Sequence, residues 1–135
     1  MSDLIYEQKI DLPYNYTAGA AQRAGLTGLR EGRLVGSRSG DLLAVPARPF
    51  APDGTHLREV EDVGDEGVLE ASTVAHHLDG APAFGLIRID GASWPLLHRL
   101  GDGAERLDPG ARVRAVWRAE RSGSITDIEH FGPAP

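Results

Sequence analysis

Three arginines, Arg33, Arg38 and Arg48, are spread through a stretch rich in glycine and proline, and a guanidinium in such a loop is suited to gripping an anion. Its planar fork of N–H donors matches a carboxylate or a phosphate bidentately. Lys9 is the lone lysine, so nearly all the positive charge is Arg, a bias that GC-rich coding also produces. The histidines offer less. His76 and His77 are adjacent in a segment that reads as extended, so they point to opposite faces and cannot share a metal. His98 and His130 end predicted strands, and a catalytic or charge-switching His needs a defined partner. Ser37, Asp41, Asp53 and His56 amount at most to a weak oxygen/nitrogen metal site, because zinc needs converging ligands that are themselves held by hydrogen bonds. No Gly-x-Ser-x-Gly elbow, Walker phosphate loop or Gly-x-Gly-x-x-Gly occurs. Cysteine is absent, which excludes a disulfide, an iron–sulfur cluster and a thiolate zinc site.

The chain has 135 residues, enough for one domain with a modest core. Its net charge of −6 opposes nucleic-acid binding, which is driven by neutralising phosphates. The opening residues are polar and no apolar run approaches the ~20 residues of a membrane span, so a cytoplasmic location without a membrane is expected.

The elements that must position these groups can be read in order. Residues 1–31 form an arm and a helix: Thr17 is a fitting N-cap for a helix from Ala18 to about Leu29, made marginal by Gly25 and Gly28. Residues 32–56 hold two short apolar runs, Leu34-Val35 and Leu42–Val45, with a turn at Gly40-Asp41, and then Pro46, Pro49 and Pro52, which exclude a regular helix. From Leu57 the period changes to two, and residues 57–131 read as a β-barrel. Five strands are expected at Gly67–His77, Ala83–Ile89, Ala92–His98, Ala111–Ala119 and Ile125–Phe131, with 132–135 as a tail. Val113, Ala115 and Trp117 share one face of their strand, while Arg112, Arg114 and Arg118 share the other. Trp94, between a turn and Pro95, suits either a core or an interface. Phe50, among prolines, is expected to be exposed and to meet a partner.

Ser37-Arg38-Ser39-Gly40-Asp41 and Ala51-Pro52-Asp53-Gly54-Thr55 have the spacing of two Cys-x-x-Cys knuckles whose cysteines are gone, with Pro46-Ala47-Arg48 between them. Gly67-Val68 to Thr73-Val74, Leu86–Gly91, Gly110–Val113 and Phe131-Gly132-Pro133 follow in the right order. Across residues 14–133 the chain resembles the zinc-ribbon/OB-fold acyl-CoA-associated proteins (domain of unknown function thirty-five), as a member that has lost its zinc ligands. The resemblance implies a mainly β fold: a five-stranded OB barrel preceded by a helix and a metal-free ribbon-like loop. It implies a non-catalytic accessory subunit of a thiolase-like enzyme acting on acyl-CoA, in a hetero-oligomer. No tightly bound cofactor and no zinc are expected, with a coenzyme A thioester at the subunit interface. Under this reading Arg33, Arg38 and Arg48 contact CoA phosphates, and Tyr14, Tyr16, Pro46, Phe50 and Trp94 form the partner interface. The competing readings are a free-standing acyl-CoA binder or regulator, a single-stranded nucleic-acid binder using the Arg112/Arg114/Arg118 stripe, and a small independent hydrolase.

Overall fold

The computed structural model describes residues 19–135. A helix, α1 (Ala20–Arg30), leads into three strands of one sheet, β1 (Leu34–Ser39), β2 (Leu42–Ala44) and β3 (Glu59–Val63). Five further strands close a barrel: β4 (Glu66–Val74), β5 (Ala83–Ile89), β6 (Leu96–Leu100), β7 (Arg112–Trp117) and β8 (Ile128–Pro133). The mainly β class, with a helix ahead of a five-stranded barrel, is as read from the sequence.

Thr17 lies outside the described residues; Gly19 occupies the N-cap position and makes no side-chain cap bond. The buried face of α1 is Ala21, Gly25, Gly28 and Leu29, the spacing of one helical stripe. Gly28, which weakens an isolated helix, is needed for close approach. A Cβ there would stand 2.6 Å from Val35 Cγ2 and 3.0 Å from the Arg33 carbonyl. The helix ends at Gly32, whose φ of +76° turns the Gly32 and Arg33 N–H groups back onto the carbonyls of Leu29 and Gly28 at 3.0 and 2.7 Å.

The sheet order is β2-β1-β3, antiparallel throughout. The stretch 57–63, placed with the barrel by its period, instead supplies β3, which pairs with β1 from Leu34↔Val63 to Arg38↔Glu59. The reason is its side chains. A barrel strand buries alternate residues, and Glu59, Val60, Glu61 and Asp62 are all exposed. Arg33, just before β1, and Arg38 on β1 take Asp62 and Glu61 as ion-pair partners.

The barrel therefore begins at Glu66, in the order β4-β5-β6-β8-β7, with β7 returning to β4. All pairs are antiparallel except β6 with β8, which meet parallel at Leu100↔Phe131. β4 has a register shift between Leu69 and Ala71 and ends at Val74, so His76 and His77 fall in the following turn and not on a strand. The Asp90-Gly91 turn opens a longer connection that carries Trp94, and β6 starts only at Leu96, after Pro95. Residues 125–127 form a 3₁₀ turn, and Gly132 and Pro133, read as tail, continue β8 opposite Arg114 and Val113.

One core runs through both halves. Leu29 of α1, Leu34 of β1, Leu43 of β2 and Val45 join Leu69, Ile87, Ile89, Val113, Ile128 and Phe131 of the barrel in a single buried cluster. Ser93 stitches the seam: its N–H donates to the Leu43 carbonyl and its Oγ accepts from the Leu43 N–H, both at 2.9 Å. Beneath α1, the loop after β7 is organised by Asp127, which is 2 % exposed. Its carboxylate accepts the N–H groups of Ser122, Gly123 and Ser124 at 2.9, 2.7 and 3.0 Å. Arg121 Nε then donates to the Arg30 carbonyl at 3.0 Å, tying the loop to the helix.

Two stability predictions follow from this packing. Gly28→Ala forces Val35 aside and is expected to cost about 2 kcal/mol in urea unfolding; a change below about 0.5 kcal/mol would show that α1 does not lie this close. Burial pushes the Asp127 carboxyl up, but the three backbone N–H bonds outweigh it and hold the group below the usual carboxylate range. The stabilisation is thus present above the unfolded-state value and disappears as pH falls through the lower folded-state value. Asp127→Asn should cost about 2 kcal/mol at neutral pH and should flatten the acid limb of a melting-temperature profile. A variant whose acid limb matches the parent's would remove Asp127 as its source.

Candidate functional site

A groove of about 490 Å³ lies where the two halves meet, walled by Pro46, Arg48 and Pro49 on the ribbon side and Trp94, Pro95 and Leu96 on the barrel side. Three of the residues singled out from the sequence, Pro46, Arg48 and Trp94, thus come together. Arg48 is fixed by its backbone: Ser37 Oγ donates to its carbonyl at 2.6 Å and accepts its N–H at 2.9 Å. Its guanidinium makes no hydrogen bond or ion pair with the described residues, which leaves a cation beside an indole and three prolines. Phe50 is exposed as expected, at 51 %, and its ring packs on His56 with centroids 5.0 Å apart. It does not line this groove. Tyr14 and Tyr16 lie outside the described residues.

The other two arginines are engaged. Arg33 pairs with Glu31 at 2.7 Å and with Asp62, and these carboxylates hold its guanidinium further toward the protonated form. It lines a separate groove between α1 and β3. Arg38 donates to Glu61 at 2.9 Å and to the Gly40 carbonyl at 3.2 Å. On β7, Arg112 binds Asp90 at 2.6 and 2.7 Å and Glu66 at 3.2 Å, and Arg114 also binds Glu66. Hydrogen bonds first, opposite charge second, raise the Arg112 guanidinium and depress both Asp90 and Glu66 below the usual carboxylate range. Arg118 Nε donates to the Thr126 carbonyl at 2.7 Å. The stripe proposed for nucleic acid is thus neutralised or tied to backbone at each of its three positions.

Three of the histidines, His56, His98 and His130, have defined ring partners. His98 Nδ1 accepts the Arg99 N–H at 2.8 Å, so its Nε2 carries the proton that goes to the Ile125 carbonyl at 3.1 Å, and the ring lies edge-on to Phe131. His130 Nε2 meets Asp102 Oδ2 at 2.7 Å. His56 Nδ1 accepts from Arg58 Nε at 3.1 Å. No Ser–His hydrogen bond occurs among the described residues, and no three His, Asp or Glu residues there converge on a metal position. The residues at the four knuckle positions do not fit zinc: Ser37 is fully buried with its hydroxyl used twice, Ala51 is buried, and Gly40 and Gly54 have no side chain.

Sequence reading missed an apolar outer face on the barrel. Leu97 is 65 % and Leu86 39 % exposed, and the register sets Ala71, Leu86 and Leu97 in one cross-strand row. With Phe84 and Thr73 they line a shallow groove of about 280 Å³ that no charged residue lines. The signal was present: Ala83–Ile89 is apolar at both parities, which a half-buried strand does not need.

No family model matches the chain, and no curated protein matches it. Solved structures do, among them the following two. A DUF35-family protein of unknown function from Sulfolobus solfataricus aligns with a TM-score of 0.62 at 17 % identity, over 86 % of this chain and 85 % of its own. A structure described as the Ltp2–ChsH2(DUF35) aldolase aligns with a TM-score of 0.62 at 18 % identity, over 90 % of this chain and all of that one. Helix, ribbon-like sheet and five-stranded barrel together make the fold of this chain that of the DUF35 proteins.

Proposed function

We propose that this chain is a non-catalytic accessory subunit of a thiolase-like enzyme acting on acyl-CoA substrates. One observation carries the reading: the described histidines with ring partners are used in structure, while the conspicuous free features are contact surfaces. A likeness to a chain in the Ltp2–ChsH2(DUF35) aldolase supports a role beside an enzyme. The partner would hold the nucleophile and the acid/base groups for thiolysis, acyl transfer or retro-aldol cleavage. This chain would position substrate and exclude water.

Within this reading the three arginines separate. Arg33 and Arg38 are engaged by carboxylates of the sheet, and Arg48, which lines one groove with Trp94, is the residue for a CoA phosphate at the subunit interface. Phe50 and the Leu86/Leu97 row are the apolar anchors for protein contact, since removing exposed apolar surface from water favours association.

The test is co-expression of the tagged chain with thiolase-like proteins from the same source, starting with any encoded next to it. A stable complex that survives gel filtration is the expected result. A well-folded monomer that binds no thiolase-like protein would end the accessory reading. Phe50→Asp and Leu97→Asp are each expected to weaken the complex about 30-fold, the effect of losing ~2 kcal/mol at an interface centre, with an unchanged melting temperature; undiminished assembly would remove that residue from the interface. Arg48→Glu should weaken acyl-CoA binding by the complex while leaving subunit association intact. Salt-sensitive retention of a labelled oligonucleotide by the isolated chain would favour the nucleic-acid reading instead.

A further inference from the structure

We infer that this chain closes its ribbon-like segment without any metal, using the buried Ser37 hydroxyl and an apolar plug where the fold family implies a tetrahedral ion. The inference concerns this chain alone and does not rest on the accessory reading.

Ribbon segments of this kind are too short and too rich in turns to bury a core, and a structural zinc ordinarily supplies their folding free energy. Here the positions with knuckle spacing have been converted to other uses. Ser37 is 0 % exposed, and its hydroxyl both donates to the Arg48 carbonyl and accepts the Arg48 N–H. That one side chain ties β1 to the segment running into the second turn. Ala51 is buried with Ala44 and Leu57, and Leu42 and Trp94 pack against the three. The second turn closes on itself, the Ala51 N–H donating to the Thr55 carbonyl and the Gly54 N–H to the Ala51 carbonyl, both at 2.9 Å. The Leu57 N–H reaches the Pro49 carbonyl at 2.8 Å. Gly40 and Gly54, at φ +58° and +91°, have open space where a Cβ would stand.

Asp53 and His56 are occupied as well. Asp53 Oδ1 accepts the Thr55 N–H at 2.9 Å, an Asx turn that also holds its carboxyl below the usual range. His56 Nδ1 accepts from Arg58, and its ring is stacked against Phe50. A metal would have to break these contacts and expel the plug. Stability that an ion would provide is drawn instead from the barrel, through Leu34, Leu43 and Val45 in the shared core.

The experiment uses the full chain in a Trp117→Phe background, so that Trp94, which packs on the plug, is the fluorescent reporter. Purified protein is expected to carry well under one equivalent of any transition metal. Melting followed by Trp94 should be unchanged, within about 1 °C, by excess EDTA or 1,10-phenanthroline, and added zinc should not raise it. Ser37→Ala should lower the Trp94 transition by about 5 °C or more, and Ala51→Asp, which drives a charge into the plug, should lower it further. About one equivalent of retained zinc whose removal shifts the transition would overturn the inference. So would a Ser37→Ala variant that melts like the parent. If Ser37→Ala fails to fold, the chelator and metal measurements on the parent decide the matter alone.

Discussion

The apolar seam between the three-stranded sheet and the barrel is the constraint on which the other features depend. A three-stranded sheet with a three-residue edge strand is marginal in water. This one is held because Leu34, Leu43 and Val45 continue the cluster built around Ile87, Ile89 and Phe131. Ser93 adds a paired backbone contact to β2, in effect lengthening its hydrogen-bonded edge with residues of the barrel. The groove inherits its shape from this seam. One wall follows β2 and the other precedes β6, so Pro46 and Trp94 face a common space only while the halves are docked. Any function at the groove is therefore coupled to the integrity of the whole molecule and not to a separable ribbon.

Much of the barrel was legible because its strands obey simple rules. Ala83–Ile89 is flanked by turn residues and appears with the predicted bounds, and the Val113/Ala115 face points inward as its alternation requires. The stretch 57–63 was placed with the barrel by its period of two, but period says only that a strand exists. Its pairing with β1, and with it the pairs Arg33–Asp62 and Arg38–Glu61, could be identified only once the register was known. Charge pairing between distant segments leaves no local trace in a sequence. The same limit applies to the arginines as a site. Three looked alike in spacing, and only the fold separates Arg48, with no partner among the described residues, from two that are spent on carboxylates.

The glycines show a related ambiguity. Gly25 and Gly28 read as weaknesses in a helix, which is correct for an isolated segment. In the fold they mark the face where α1 approaches Ala47 and Val35 too closely for a larger residue at Gly28. Propensity and packing made opposite demands, and packing decided, as it does where a buried face is involved.

The distribution of charge bears on what kind of partner the surface suits. The chain is acidic overall, and its arginines beside and on β1 and on β7 are matched by Asp62, Glu61, Glu66 and Asp90. Such pairs, being exposed, contribute little stability. Their larger consequence is to cancel the positive field that a polyanion would follow. Outside those pairs lie the uncharged row at Leu86 and Leu97 and the Arg48 guanidinium at the groove. Ser37 links this to the fold. Its hydroxyl holds the backbone of Arg48 at both its N–H and its carbonyl, so the contact that ties β1 to this segment also fixes the base of the groove's cation.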